Sequence, residues 1–184
     1  MAKLVVIFPG IGYHHDKPLL YYSRQVAKKK GYEEILNLKY SYDGGNIRGN
    51  KEKMEEAYRA LYLKAAESLS DVVWEEFDDI LFISKSVGTI IATSYAENHN
   101  LKNVKHVLYT PLEYTYQYKI DCGIAFIGTS DPWSDVDEVI RLSEAKGVSM
   151  TVFDALNHSL ECDDVDVNLR VLTGVMEKIC EFLD

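Results

Sequence analysis

Residues 80–92 read Ile80-Leu81-Phe82-Ile83-Ser84-Lys85-Ser86-Val87-Gly88-Thr89-Ile90-Ile91-Ala92. A continuous apolar run leads into Ser-Lys-Ser-Val-Gly and then straight into a second apolar run. The first run suits a strand buried on both faces, and the second suits a buried helix. A serine at such a junction sits on a tight, strained strand-to-helix turn, as a nucleophile elbow requires. The residues two before and two after it must be small, because strand and helix close on each other there. Ser84 and Gly88 meet that demand. The helix start supplies a partial positive charge and a free N–H at Val87. A plainer reading stands beside this one: Ser86 as the cap of an ordinary helix.

Similar short apolar runs recur along the chain. They are Leu4-Val5-Val6-Ile7-Phe8, Ile35-Leu36-Asn37-Leu38, Val104–Tyr109, Ile124-Ala125-Phe126-Ile127 and residues 148–153. Their β-branched and aromatic content favours strands. Helical patterns separate them. Met54, Tyr58, Leu61, Ala65 and Leu69 recur every three or four residues, with Asn50 as a cap. Val165, Leu169, Leu172, Met176, Ile179 and Leu183 form a second stripe. Residues 16–30 read as a helix stopped by Gly31. Ser134 reads as a cap before the acidic first turn of a helix ended by Gly147. This alternation predicts an α/β fold: a three-layer αβα sandwich around a mainly parallel sheet of about six strands. The length predicts one domain spanning residues 1–184.

Composition narrows the function classes. Lys and Arg number 20 against 29 Asp and Glu, a formal net charge of −9. Such a surface repels phosphate and argues against nucleic-acid partners and a polybasic membrane anchor. Cys122, Cys162 and Cys180 are odd in number and lack metal-ligand spacing, so they read as free thiols in a reducing compartment. The apolar run ending at Phe8 is too short for a signal peptide, and none approaches the ~20 residues of a membrane span. The expectation is a cytoplasmic protein, a monomer or homodimer. Leu20-Tyr21-Tyr22 and the last helix suit a dimer contact or core packing equally.

A serine hydroxyl needs a base, and the base needs an orienting carboxylate. After the fifth run comes Gly128-Thr129-Ser130-Asp131-Pro132-Trp133, and after the sixth comes Asp154-Ala155-Leu156-Asn157-His158-Ser159. Asp131 and His158 therefore fall on loops at the carboxyl ends of strands, on the same sheet edge as Ser86. Ligands bind at that edge in open parallel sheets. Asp131 before a proline is also a good turn starter. Asp135 and Asp154 are competing acids, the first inside a predicted helix and the second directly after a strand. His99 and His106 are weaker bases, at a helix end and in a strand.

The first run ends in Phe8-Pro9-Gly10-Ile11-Gly12-Tyr13, where two glycines let the backbone approach a substrate. An oxyanion needs two N–H donors, Val87 and one from this loop, Ile11 first and Gly12 next. The dinucleotide fingerprint is not completed, since position 15 is histidine. His14, His15 and Asp16 hint at a metal, but adjacent loop histidines usually face solvent. Tyr13, Tyr109, Tyr114, Tyr116, Tyr118 and Trp133 are candidates for an aromatic substrate pocket, with Tyr40, Tyr42 and Asn46 as another wall.

Together these motifs resemble the α/β-hydrolase superfamily over nearly the whole chain. The resemblance rests on Phe8-Pro9-Gly10-Ile11-Gly12, Ser84-Lys85-Ser86-Val87-Gly88-Thr89, Gly128-Thr129-Ser130-Asp131 and Asn157-His158-Ser159. It implies a small, lidless bacterial type with Ser86, Asp131 and His158 as triad, and Val87 with Ile11 or Gly12 as oxyanion donors. It departs in three ways: Ser84 replaces a glycine, Pro9-Gly10 replaces His-Gly, and no residues remain for the opening antiparallel strands or the helical lid.

The expected function is a serine hydrolase, carboxylesterase- or thioesterase-like, acting on a small-molecule acyl substrate without a cofactor. Tyr13, Tyr114, Tyr116 and Trp133 are the expected substrate-binding residues. Two other readings share the same residues: an acyltransferase, and a binding or regulatory module without catalysis.

Overall fold

A computed structural model describes residues 2–45, 47 and 49–184. Asn46, expected in a pocket wall, lies outside the described residues. Six strands form one sheet: β1 (Lys3–Phe8), β2 (Glu34–Asn37), β3 (Asp79–Lys85), β4 (Val104–Tyr109), β5 (Cys122–Gly128) and β6 (Ser149–Phe153). Every pairing is parallel, and the order is β2-β1-β3-β4-β5-β6. From β1 the chain steps outward to β2, then returns to the other side of β1 for β3. The switch point of the topology therefore lies between β1 and β3, where a crevice opens at the carboxyl ends of the strands.

Five helices cover the two faces: α1 (Pro18–Lys29), α2 (Lys51–Ser68), α3 (Val87–Asn98), α4 (Val136–Ala145) and α5 (Val165–Phe182). The period of two in β1 sorts the layers. Val5 and Ile7 join the core beneath α1 and α5. Leu4, Val6 and Phe8 join the core beneath α2 and α3. A third cluster, with Leu108, Ala125 and Ile127, seats α4. In β1 and β3 the runs are buried on both faces, which is why they read as continuous rather than alternating. Among the described residues no helix is long and apolar enough to cross a membrane.

Local chemistry explains most of the boundaries. Asn50 caps α2 by accepting from Lys53 N. Gly31 and Gly147 end their helices with φ of 87° and 70°, values that suit glycine. Two expectations need correction. The cap of α4 is Asp135, whose side chain accepts from Glu138 N, and not Ser134. Of the stripe expected for α5, only Ile179 and, just past the helix end, Leu183 are buried. Val165 and Leu169 are exposed because the first turns of the helix present Val167 and Val171 to the core instead. Between β4 and β5 the chain makes a 3-10 turn at Glu113–Gln117. In α1, Leu20 is buried core while Tyr21 and Tyr22 face outward.

Candidate active site

Ser86 stands between β3 and α3 with φ 56° and ψ −125°. That is a conformation an L-residue holds only when its surroundings impose it. The surroundings are visible. Ser86 N donates to Tyr109 O at 3.0 Å, and Thr89 N donates back to Ser86 O at 2.9 Å. A Cβ on Gly88 would stand 2.3 Å from Phe8 O and 2.6 Å from Pro9 O, so α3 can approach β1 only with glycine there. Ser84 is buried, and its hydroxyl donates to Val107 O at 3.2 Å.

Asp131 and His158 arrive from two neighbouring loops. His158 Nε2 lies 2.8 Å from Ser86 Oγ. His158 Nδ1 lies 2.8 and 2.7 Å from the two oxygens of Asp131. With Nδ1–H donating to the carboxylate, Nε2 is left as an acceptor and the serine O–H donates to it. Asp131 also accepts from Trp133 N at 2.9 Å, and its side chain is wholly buried. The Trp133 ring lies 5.6 Å from the imidazole. Burial, and after it the charge of Lys85, pushes the His158 pKa below its ordinary value; the hydrogen bond it donates to Asp131, and the charge of that carboxylate, act the other way.

The competing residues lie elsewhere. Asp154 accepts from Thr129 Oγ1 at 3.1 Å, and Asp135 serves as a helix cap. His99 stacks on Tyr95, and His106 is buried in β4. His15 meets Asp16 at 3.3 Å, but among the described residues no three His, Cys, Asp or Glu side chains converge to hold a metal.

The loop after β1 folds against this centre. Gly10 and Tyr13 exchange backbone hydrogen bonds of 3.2 and 3.3 Å, forming a tight turn. The Ile11 and Gly12 N–H groups have no partner among the described residues. Val87 N, in the first turn of α3, is a third unengaged donor there. A Cβ on Gly10 would lie 3.2 Å from Ser86 Cβ, so this loop and the serine are in close contact.

Ser86, Val87 and His158 open into a cleft of about 1130 Å³. Tyr13, Tyr114, Tyr116 and Trp133 all line it, as do Tyr118, Leu112 and Ile11. Three assignments are corrected. Tyr109 is buried beneath α1 with its hydroxyl 2.6 Å from Ser23 Oγ, because the pleat turns the last residue of β4 toward that face. Tyr40 and Tyr42 pack on the α2–α3 core instead, and Tyr40 donates to Pro9 O at 2.9 Å. The wall expected from them is formed by Met54, Glu55 and Tyr58 of α2. Tyr58 reaches across to Tyr118, with 3.3 Å between hydroxyls. Helical periodicity showed that α2 has a buried face but gave no sign that one edge of it borders the cleft.

No protein-family model matches the sequence, and no curated protein matches it. Solved structures do match. The chain superposes on a protein of Xanthomonas campestris pv. campestris assigned to the α/β superfamily of hydrolases, with TM-score 0.62 and 13% identity. That match covers 100% of this chain and 98% of the other. It superposes on an esterase of Pyrococcus furiosus with TM-score 0.65 and 16% identity, over 98% and 82% of the two chains. A third match is an α/β serine hydrolase homologue of Coxiella burnetii, with TM-score 0.61 and 13% identity, over 100% and 85%.

The chain has the α/β-hydrolase fold.

Within this α/β-hydrolase fold, two side chains escaped the sequence reading. Lys85 is 1% exposed, yet it belongs to the lining of the cleft. Its ammonium donates to Thr110 Oγ1 at 2.5 Å and lies 5.2 Å from the centre of the Tyr13 ring. Burial pushes its pKa down to about 7, opposed by the charges of Asp131 and Glu161. Thr110, the first residue after β4, is itself left-handed, with φ 39°. A lysine inside an otherwise ordinary elbow was the available signal. Threonine 110 gave none.

Proposed function

We propose that this protein is a serine hydrolase that cleaves an ester or thioester of a small substrate through an acyl-enzyme on Ser86. The reading is carried by one observation: the unbroken chain from Ser86 Oγ through His158 to Asp131, at 2.8 and 2.7 Å. His158 Nε2 takes the serine proton as Oγ attacks the acyl carbon. The same nitrogen then protonates the leaving alcohol or thiol. Water entering next gives a proton to His158 as it attacks the acyl carbon; His158 then returns that proton to Ser86 Oγ as the acid leaves. Asp131 fixes the tautomer and stabilises the imidazolium that forms. Val87 N–H and a second donor from Ile11 or Gly12 face the developing oxyanion. Loss of one such donor typically costs about 10²–10³ in turnover.

The cleft supports an apolar acyl group. Tyr13, Leu112, Tyr114, Tyr116 and Trp133 offer aromatic and aliphatic surface. Among the described residues its lining carries the carboxylates of Glu55, Glu113 and Glu138, and one cation, the buried Lys85. Such a rim favours neutral substrates over anionic ones.

The test is covalent labelling with a fluorophosphonate probe. The expected adduct maps to Ser86, disappears in Ser86→Ala and falls steeply in His158→Ala. A folded wild-type protein that takes no label would overturn the reading. Turnover of an activated ester with and without added alcohols or amines then separates hydrolysis from acyl transfer.

A further inference from the structure

In β3 the side chains of Leu81 and Ile83 enter the core beneath α1 and α5, and position 85 continues that alternation. A leucine would complete the pattern. The chain instead places an amine there, shielded from solvent, where desolvation disfavours its charge. A local rule broken at a buried position is a pointer to function. The site is also built to hold the charge. Thr110 supplies a hydroxyl at 2.5 Å, and the Tyr13 ring supplies a π face at 5.2 Å. Thr110 does so from a left-handed backbone, which is costly for a β-branched residue. Two adjacent strained residues, Ser86 and Thr110, thus flank one buried cation.

We propose that Lys85 is a positioning residue of the Ser86–His158–Asp131 site, its ammonium held by Thr110 so that its charge disfavours a second cation on His158 and preserves the neutral base toward acidic pH. The inference rests on the reading of His158 as the base. The charged groups acting on Lys85 are Asp131, from the loop after β5, and Glu161, from the loop after β6. His158, held by Asp131 at 2.7 Å, lines the same cleft as Lys85 and Ser86, so Lys85 and Asp131 are the charged groups that act on it. Among the described residues no carboxylate comes within salt-bridge distance of the Lys85 ammonium, so its influence acts through space rather than through a contact.

The experiment compares wild type, Lys85→Met and Thr110→Val by two readouts. One is the pH dependence of fluorophosphonate labelling at Ser86. The other is the titration midpoint of His158 by ¹H–¹⁵N NMR, which does not require activity. In Lys85→Met, both the acid limb of labelling and the His158 midpoint are expected to move to higher pH. Thr110→Val removes the hydroxyl that holds the ammonium and is expected to move both in the same direction by less. Midpoints unchanged or lowered in Lys85→Met would overturn the proposal, since a packing role alters folding or plateau rate and leaves the limb in place. Should Lys85→Met fail to fold, an unchanged midpoint in Thr110→Val overturns it equally. Absence of labelling in wild type defeats the hydrolase reading alone, because the NMR midpoints still report whether Lys85 acts on His158.

Discussion

Gly128 lies directly against Leu156: a Cβ at 128 would stand 2.1 Å from the Leu156 carbonyl oxygen. This contact joins the two loops that carry Asp131 and His158. Ser130 N donates to the same carbonyl at 3.0 Å, so the loops are also tied by a backbone hydrogen bond. The carboxylate and imidazole that these loops carry approach to 2.7 Å.

Gly128→Ala is therefore expected to damage both stability and site geometry. Forcing a methyl group against backbone in a packed region costs about 1–3 kcal/mol, and here the obstacle cannot rotate away. Urea unfolding should show a lower midpoint. Labelling of Ser86 in the folded fraction should slow as well. A variant that keeps the wild-type labelling rate would show that the loops adjust independently.

Asp131→Asn should leave the fold intact and depress turnover or labelling by roughly 10³–10⁴, because an amide favours the wrong imidazole tautomer. Asp154→Asn should leave the rate unchanged, since Asp154 contacts Thr129 and not His158. Rates measured side by side check the assignment of the acid. The reverse pattern would transfer that role to Asp154.

The pH profile of the wild-type protein has an expected sign. Burial, with Lys85 adding to it, lowers the pKa of His158, so the neutral base persists below the ordinary histidine value of 6.5. The midpoint of the acid limb of labelling should therefore fall below pH 6.5. A midpoint at or above pH 6.5 would contradict the geometry.

His106 supplies a separate effect on stability. It is buried in β4, its Nδ1 has no partner among the described residues, and the edge of its ring meets Phe82 at 5.7 Å. Burial pushes its pKa down to about 4, with a small opposing effect from Asp121. Between pH 6.5 and about 4 the unfolded chain binds this proton more readily than the folded one. Stability from His106 is thus full above pH 6.5 and is lost as pH falls toward 4. The loss is on the order of 3 kcal/mol. Urea midpoints at pH 7 and pH 4.5 should differ more in wild type than in His106→Leu, the carboxylates being common to both.

Much of the architecture was legible because its signals are local. The runs at residues 4–8 and 80–83 are continuous where strands are buried on both faces, and periodic segments lie between them. Gly31 and Gly147 marked helix ends because a positive φ suits glycine. Asn50 marked a helix start because its side chain replaces a missing backbone acceptor. Ser134 misled for a related reason. Two adjacent residues offered the same capping chemistry, and only the path of the chain decided for Asp135.

The candidate site divides in the same way. Ser86, Asp131 and His158 were individually legible, since each follows a strand and their chain order matches one mechanism. Nothing local distinguished Tyr109 from Tyr116. The pleat sends the first under α1, and a 3-10 turn presents the second to the cleft. Nor did sequence suggest that Met54 and Tyr58 of α2 border the substrate space.

The sequence by itself determined the alternation of strand and helix, the strained serine turn and the three residues of the proposed triad, because each depends on neighbours a few positions away. Only tertiary structure decided the strand order, which puts the switch point between β1 and β3 and the loop after β1 against the serine. It also decided that Lys85 is enclosed between Thr110 and Tyr13, residues 25 positions later and 72 earlier in the chain, respectively. Burial of a charge is a property of what packs around it, and those groups come together only when the sheet assembles.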